Sequence, residues 1–150
     1  MTATGHAVIG TAIAASISNP FLAIPLSVVS HIAADMFPHW DPGTNRHKKT
    51  HDRFFEEAVF DVAASIVVTF LLIIFVFPQT NIFYAYLNVF AAQFLDWASM
   101  PYLFFKIKNP TIFYHVYRFQ KRINNRMDKP WGIVGQVGIL VLLVIIAKYI

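Results

Sequence analysis

From Phe54 to Phe77 the chain is an almost unbroken run of apolar side chains. Its only charges, Glu56, Glu57 and Asp61, crowd its start, and Pro78-Gln79-Thr80-Asn81 stops it. Such a run needs either a large core around it or a bilayer, whose hydrocarbon thickness takes about 20 helical residues. Composition decides between the two. The 150 residues are 57% hydrophobic and 13% charged, against roughly 25% charged in an average globular domain. Too few charges remain to cover the outside of a soluble fold. The chain therefore reads as a single all-α membrane-embedded domain over residues 1–150, with no linker or repeat. It has no cysteine, which excludes disulfides, thiolate metal sites and cysteine nucleophiles. The net charge of +4 reports topology in such a chain, and no nucleic-acid partner is expected.

Four further apolar segments flank this run: His6–Ile17, closed by Asn19-Pro20, then Phe21–Phe37, Ile82–Phe105 and Trp131–Ile150. The first two are shorter than a full span of about 20 residues. The expected architecture is a short N-terminal helical hairpin, three transmembrane helices and one interfacial helix. No cationic region precedes the first apolar segment, so a signal peptide is not expected. Every lysine and arginine except Lys148 falls in the loops 38–56 and 106–130, and the opposite turns carry none. The positive-inside rule puts those loops and the N-terminus in the cytoplasm.

Helical rise then sets depths. At about 1.5 Å per residue, Asp35 lies roughly 21 Å from Phe21, His6 roughly 20 Å from Asn19, Asp61 roughly 24 Å from Phe77, and Asp96 roughly 21 Å from Ile82. Four segments thus bring an imidazole or carboxylate to one layer beneath the basic side. Carboxylates at that depth cost several kcal/mol unless partnered, so Asp35, Asp61 and Asp96 are candidate functional residues. The densest group is His31, Asp35, His39 and Asp41. His31 and Asp35 share a helix face, and Pro38 ends that helix so that His39 and Asp41 fold over from the loop. Nitrogen and oxygen donors of this kind suit zinc or another first-row divalent ion. His47 and His51 repeat the four-residue spacing, as do Glu57 and Asp61. A solvated loop explains the histidine pair equally well.

Ile112, Val116, Phe119, Ile123 and Met127 form an apolar stripe, with His115, Arg118, Arg122 and Arg126 on an adjacent face. That pattern predicts a helix in the headgroup plane, whose arginines gather anionic lipid. The sharper expectation is that Arg118 or Arg122 clamps a phosphate, with His115 and Gln136 as further polar contacts to the substrate.

Thr4-Gly5-His6, Pro38-His39-Trp40-Asp41-Pro42 and His47-Lys-Lys-Thr50-His51 resemble motifs of the membrane-bound metal-dependent hydrolases. The likeness covers about the first third of the chain. That family's Asp-x-Asp turn is replaced here by His39-Trp40-Asp41. The resemblance implies His6, His39, Asp41, His47 and His51 as ligands. His31, Asp35 and Asp96 join the metal set on the depth argument alone. His31-x3-Asp35 is also similar to a helix pattern of zinc-dependent phospholipase C.

The expected activity is metal-dependent hydrolysis at the cytoplasmic interface, with Glu57 or Asp61 as the base. The substrate is an amphiphile, a lipid phosphoester by expectation. A small ion or proton transporter is the first alternative, and a structural or partner-binding membrane protein the second.

Overall fold

The computed structural model describes residues 1–150 as seven α-helices without a strand: α1 Ala3–Ser16, α2 Pro20–Met36, α3 His51–Phe75, α4 Ile82–Ala92, α5 Phe94–Phe105, α6 Ile112–Ile123 and α7 Trp131–Tyr149. The polar breaks between apolar segments double as caps. Thr2, Asn19, Thr50 and Asn81 each accept a backbone N–H from the first turn of the helix that follows. This satisfies donors that a helix start leaves unpaired.

Two helices, α3 and α7, are long and apolar enough to cross a membrane. The segment Ile82–Phe105, expected as a third span, is instead two helices broken at Gln93. The physical reason lies in the side chain at the break. Gln93 Nε2 donates to the Ala3 carbonyl at 2.9 Å and to Ser65 Oγ at 3.1 Å, tying the joint to α1 and α3.

The shortest of the N-terminal helices is the centre of the molecule. α1 packs against α2, α3, α4 and α7. Its Gly5, Ala7, Gly10, Ala12 and Ala14 are buried, and small residues let neighbouring helices approach closely. At Gly10 a Cβ would stand 2.8 Å from the Asn88 carbonyl oxygen and 3.0 Å from Val89 Cα. α6 lies against α5 and α2, with Tyr114 and Tyr117 both packed on Tyr102.

Burial is inverted relative to a soluble protein. The largest side chains that are fully buried are polar: His6, His31, His39, Asn88, Thr11 and Thr69 lead them. Large apolar residues face outward instead, with Phe60 76% and Phe83 83% exposed. Polar atoms in the interior need partners. Ser27 Oγ bonds Asn88 Oδ1 at 2.9 Å, Asn88 Nδ2 bonds the Tyr84 carbonyl, and Thr11 Oγ1 bonds the Ala7 carbonyl.

A candidate metal centre

α2 carries His31 and Asp35 one turn apart on its buried face. α1 lies across them, so that the His6 ring stacks on His31 with centroids 3.9 Å apart and planes 8° from parallel. The break at Gln93 serves this geometry. Ala92 is the last residue of α4, so its carbonyl is among those with no helical donor, and it accepts His31 Nδ1–H at 2.7 Å. Since a carbonyl only accepts, His31 Nδ1 carries the proton and Nε2 offers a lone pair. His39 repeats the device. α2 ends at Met36, and the Phe37 carbonyl accepts His39 Nδ1–H at 2.7 Å. Fixing Nδ1–H on a backbone carbonyl so that Nε2 points inward is the usual support of a metal-ligating histidine.

His39 is held by a two-residue bridge to the segment after α6. Its N–H donates to the Asn125 carbonyl at 3.2 Å, and its own carbonyl accepts Met127 N–H at 2.7 Å. The same bridge delivers Arg126, whose Nε lies 2.9 Å from both oxygens of Asp41.

Three carboxylates converge on the three imidazoles. Asp35 Oδ1 lies 3.3 Å from His6 Nε2 and Asp35 Oδ2 3.4 Å from His31 Nε2. His39 Nε2 is 3.9 Å from Asp35 Oδ1 and 3.7 Å from Asp41 Oδ2, and His31 Nε2 is 3.8 Å from Asp96 Oδ1. Yet neither ring nitrogen of His6, nor His39 Nε2, has a hydrogen-bond partner, though all are buried. Leaving such atoms unpaired costs about 1–3 kcal/mol each. The two shortest of these spacings, from Asp35 to His6 and to His31, are those of ligands around a shared cation. Zinc bonds of about 2.0–2.1 Å put adjacent ligands of a tetrahedron about 3.3–3.4 Å apart. One donor atom each from His6, His31 and Asp96 lie within 4.8 Å of one another, and this group has the spacing and chemistry to hold a metal ion.

The cluster's charges are unequally matched. Asp35 takes the Met1 ammonium and Asp41 takes Arg126. Asp96 has no cation. Gln120 Nε2 donates to its Oδ1 at 2.8 Å and lies 3.1 Å from His31 Nε2. Burial pushes the Asp41 carboxyl up, but the neighbouring His39 imidazole and the Arg126 guanidinium outweigh it and hold Asp41 well below the ordinary carboxylate range.

Asp96, 44% exposed at its side chain, opens onto a cavity of about 480 Å³. One wall is polar, with Asp41, Arg46, Gln120, Lys121 and Arg126; the other is apolar, from the first turns of α3 and from α5.

The remaining expected site residues stand elsewhere. His47 is exposed on a 3₁₀ turn over Arg46–Lys48. His51, exposed at the start of α3, donates from Nε2 to the Phe104 carbonyl at 3.1 Å. Glu57 pairs with Lys49 and Arg53. Asp61 accepts from Ala3 N–H at 2.7 Å, Thr4 N–H at 3.0 Å and Thr4 Oγ1 at 2.8 Å. It thereby caps α1, because free N–H groups at a helix start attract a carboxylate. His115, Arg118 and Arg122 are exposed on α6, outside the cavity lining, and Arg118 lies over the Tyr114 ring. Gln136 is buried and donates to Thr2 Oγ1 at 2.9 Å, bracing the cap of α1 from α7.

Gln120, Arg126 and Asn124, whose Nδ2 donates to Asp41 Oδ2 at 3.3 Å, join the site without having been singled out for it. Gln120 had a legible signal, since it is a polar residue on the face shared by Val116 and Ile123. Arg126 had none, because only the bridge to His39 distinguishes it from its basic neighbours.

Compared with protein-family models, with curated proteins and with solved structures, the chain matches none.

Proposed function

We propose that the protein is an integral-membrane, metal-dependent hydrolase acting on the phosphoester head of an amphiphile. One observation carries the reading. Buried ring nitrogens of His6 and His39 without hydrogen-bond partners converge with His31 and with carboxylates at the edge of a half-apolar cavity. Of the motifs that resemble those of membrane-bound metal-dependent hydrolases, those around His6 and His39 reach this cluster, whereas His47 and His51 lie outside it.

In this reading His6, His31 and Asp96 hold a zinc or similar divalent ion, and Asp35, paired with the Met1 ammonium, stands 3.3 Å from His6 Nε2 and 3.4 Å from His31 Nε2 as a further candidate ligand. A bound ion of this kind supplies an acidified water and polarises a phosphoryl oxygen. The chain's own residues do the rest. Ala92 and Phe37 fix the tautomers of His31 and His39. The base role expected of Glu57 or Asp61 passes to Asp96, because Glu57 is ion-paired and Asp61 is committed to α1. Asp96 Oδ2 has no hydrogen-bond donor and faces the cavity, where it can take a proton from water.

The outward apolar surface and the buried polar interior support a bilayer location. α3 and α7 cross it, α4 and α5 make one broken crossing, and α1–α2 form a short hairpin inside. α6 lies in the interface, and the basic loops, the N-terminus and the metal centre face the cytoplasm. A transport pathway fits less well. Of the polar groups deeper in the bundle, Ser27, Asn88 and Thr11 are hydrogen-bonded to one another or to backbone, and the buried Thr69 hydroxyl without a partner is too little for a conduit.

Protein purified without chelator should carry about one equivalent of zinc or another first-row divalent ion, and it should hydrolyse lipid phosphoesters. His31→Ala combined with Asp35→Ala should abolish both, since too few ligands remain. Full metal retention by that double variant excludes the pair as ligands. A metal-free wild-type protein removes the enzyme reading.

A further inference from the structure

α3 packs on α1 and α4, whereas α5 packs chiefly on α6. The first turns of α3 and the length of α5 therefore stand apart. His51, Phe54 and Phe55 bridge them at one end, His51 through the Phe104 carbonyl and the two phenylalanines by packing on Phe104 and Phe105. The cavity occupies this gap, and its apolar rim is open to the outside, with Val59 53% and Phe105 59% exposed. A cleft of this size, lined by apolar groups with a few converging polar ones, has the character of a small-molecule site.

The polar wall is biased toward an anion. Asp61 is spent on α1, Asp41 is matched by Arg126, and Asp96, the lining carboxylate without a cation, is a metal ligand in the reading above. Arg126 engages Asp41 through Nε alone, which leaves both Nη groups without a hydrogen-bond acceptor. Gly43 makes this pose possible, since a Cβ there would stand 2.4 Å from Arg126 Nη2. Lys121 lines the same wall and makes no ion pair. Cationic donors at one wall and apolar side chains at the other describe a phosphate joined to a hydrocarbon chain.

We propose that the gap between α3 and α5 is a side portal for a single-chain amphiphile with a phosphate head. The head lies against Arg126 and Lys121, and the first carbons of the chain pass between Phe55, Val59 and Met100. The inference rests on the reading above for the head group's place beside the metal centre.

Because the chain has no cysteine, Val59→Cys supplies a single thiol at the portal, and Val141→Cys supplies one on the exposed face of α7. The probe is a fluorescent dodecyl phosphate in nonionic micelles, with inorganic phosphate and an uncharged dodecyl glycoside as competitors. Alkylating Val59→Cys with a bulky maleimide should weaken dodecyl phosphate binding at least about tenfold relative to the same protein before labelling. Labelled Val141→Cys should bind as before. Lys121→Gln should weaken binding by about tenfold, the value of one charge-assisted contact. Both competitors should displace the probe poorly.

Binding unchanged by alkylation at Val59→Cys overturns the portal. Inorganic phosphate competing as well as the probe reduces the site to one for free phosphate, and an equally effective glycoside removes the anion preference; either result overturns the proposal. Metal content, read on the same samples, separates the two readings. Portal-dependent binding in a protein that never holds metal sinks the hydrolase and leaves the portal. Metal-loaded protein whose binding ignores alkylation sinks the portal and leaves the hydrolase.

Discussion

Asp61 and Glu57 look alike in sequence, four residues apart on one helix, yet their surroundings separate them. Asp61 accepts three hydrogen bonds from the start of α1, whereas Glu57 pairs with Lys49 and Arg53 near the surface. Hydrogen bonds to a charged group contribute about 1.5–3 kcal/mol each, so Asp61→Ala should cost about 2–4 kcal/mol even after partial compensation by water. Glu57→Gln should cost less than about 1 kcal/mol, as exposed ion pairs do. Thermal unfolding in detergent compares them, and equal losses would reject the capping role. Asp41 offers a pH test. Its folded-state carboxyl ionises more readily than the unfolded one, so its contribution is complete above the unfolded value of about 3.9 and drains away as pH falls below it. Arg126 is one cause of that shift. Arg126→Met should therefore start from a lower melting temperature at pH 7 and fall less steeply toward pH 3. Parallel profiles for the two proteins would show that the guanidinium does not set it.

At the scale of elements, the closeness of α1 to α4 decides whether His6 reaches His31. Gly10 is the contact point, one turn from His6, and a methyl group there meets backbone rather than a flexible side chain. Gly10→Ala should force α1 outward and cost about 1–3 kcal/mol, the usual range for overpacking. It should also weaken metal binding, because the imidazole moves with its helix. Gly138 in α7 has nothing within 4 Å of its would-be Cβ. There the same substitution should be neutral or stabilising by up to about 1 kcal/mol, from helix propensity alone. Unfolding and metal titration of the two variants make the comparison. A Gly10→Ala protein that keeps wild-type stability would mean that the α1–α4 contact is soft. The break at Gln93 acts at this scale too, since a continuous helix would leave His31 without the Ala92 carbonyl as acceptor.

For the whole molecule, the distribution of basic residues and the inverted burial make one joint prediction. Reporter tags inserted after Lys49 and after Lys108 should both read cytoplasmic, and one at Gln79 should read external. A cytoplasmic reporter at Gln79 would contradict the crossings by α3 and by α4–α5. The candidate metal site would survive that result, because His6, His31 and Asp96 meet through α1, α2 and α5.

Sequence alone determined the helical class and the apolar lengths of α3 and α7, because hydropathy and proline act within a few positions of themselves, whereas α1 and α3 start three residues before the expected His6 and Phe54. It also brought His6, His31, Asp35 and Asp96 toward one layer, because helical rise converts residue number into depth. What one-dimensional depth cannot convey is direction around a helix axis. Asp61 shares the layer but turns to the start of α1, and Arg118 shares the basic segment with Arg126 but turns outward. The break at Gln93 was equally hidden, since its cause is a hydrogen bond to α1 and another to α3. The tertiary structure decided which polar groups face one another, because contacts such as Gln93 to Ala3, His39 to Asn125 and Arg126 to Asp41 join residues far apart in the chain. Their pairing depends on how the helices pack, and no local pattern carries that information.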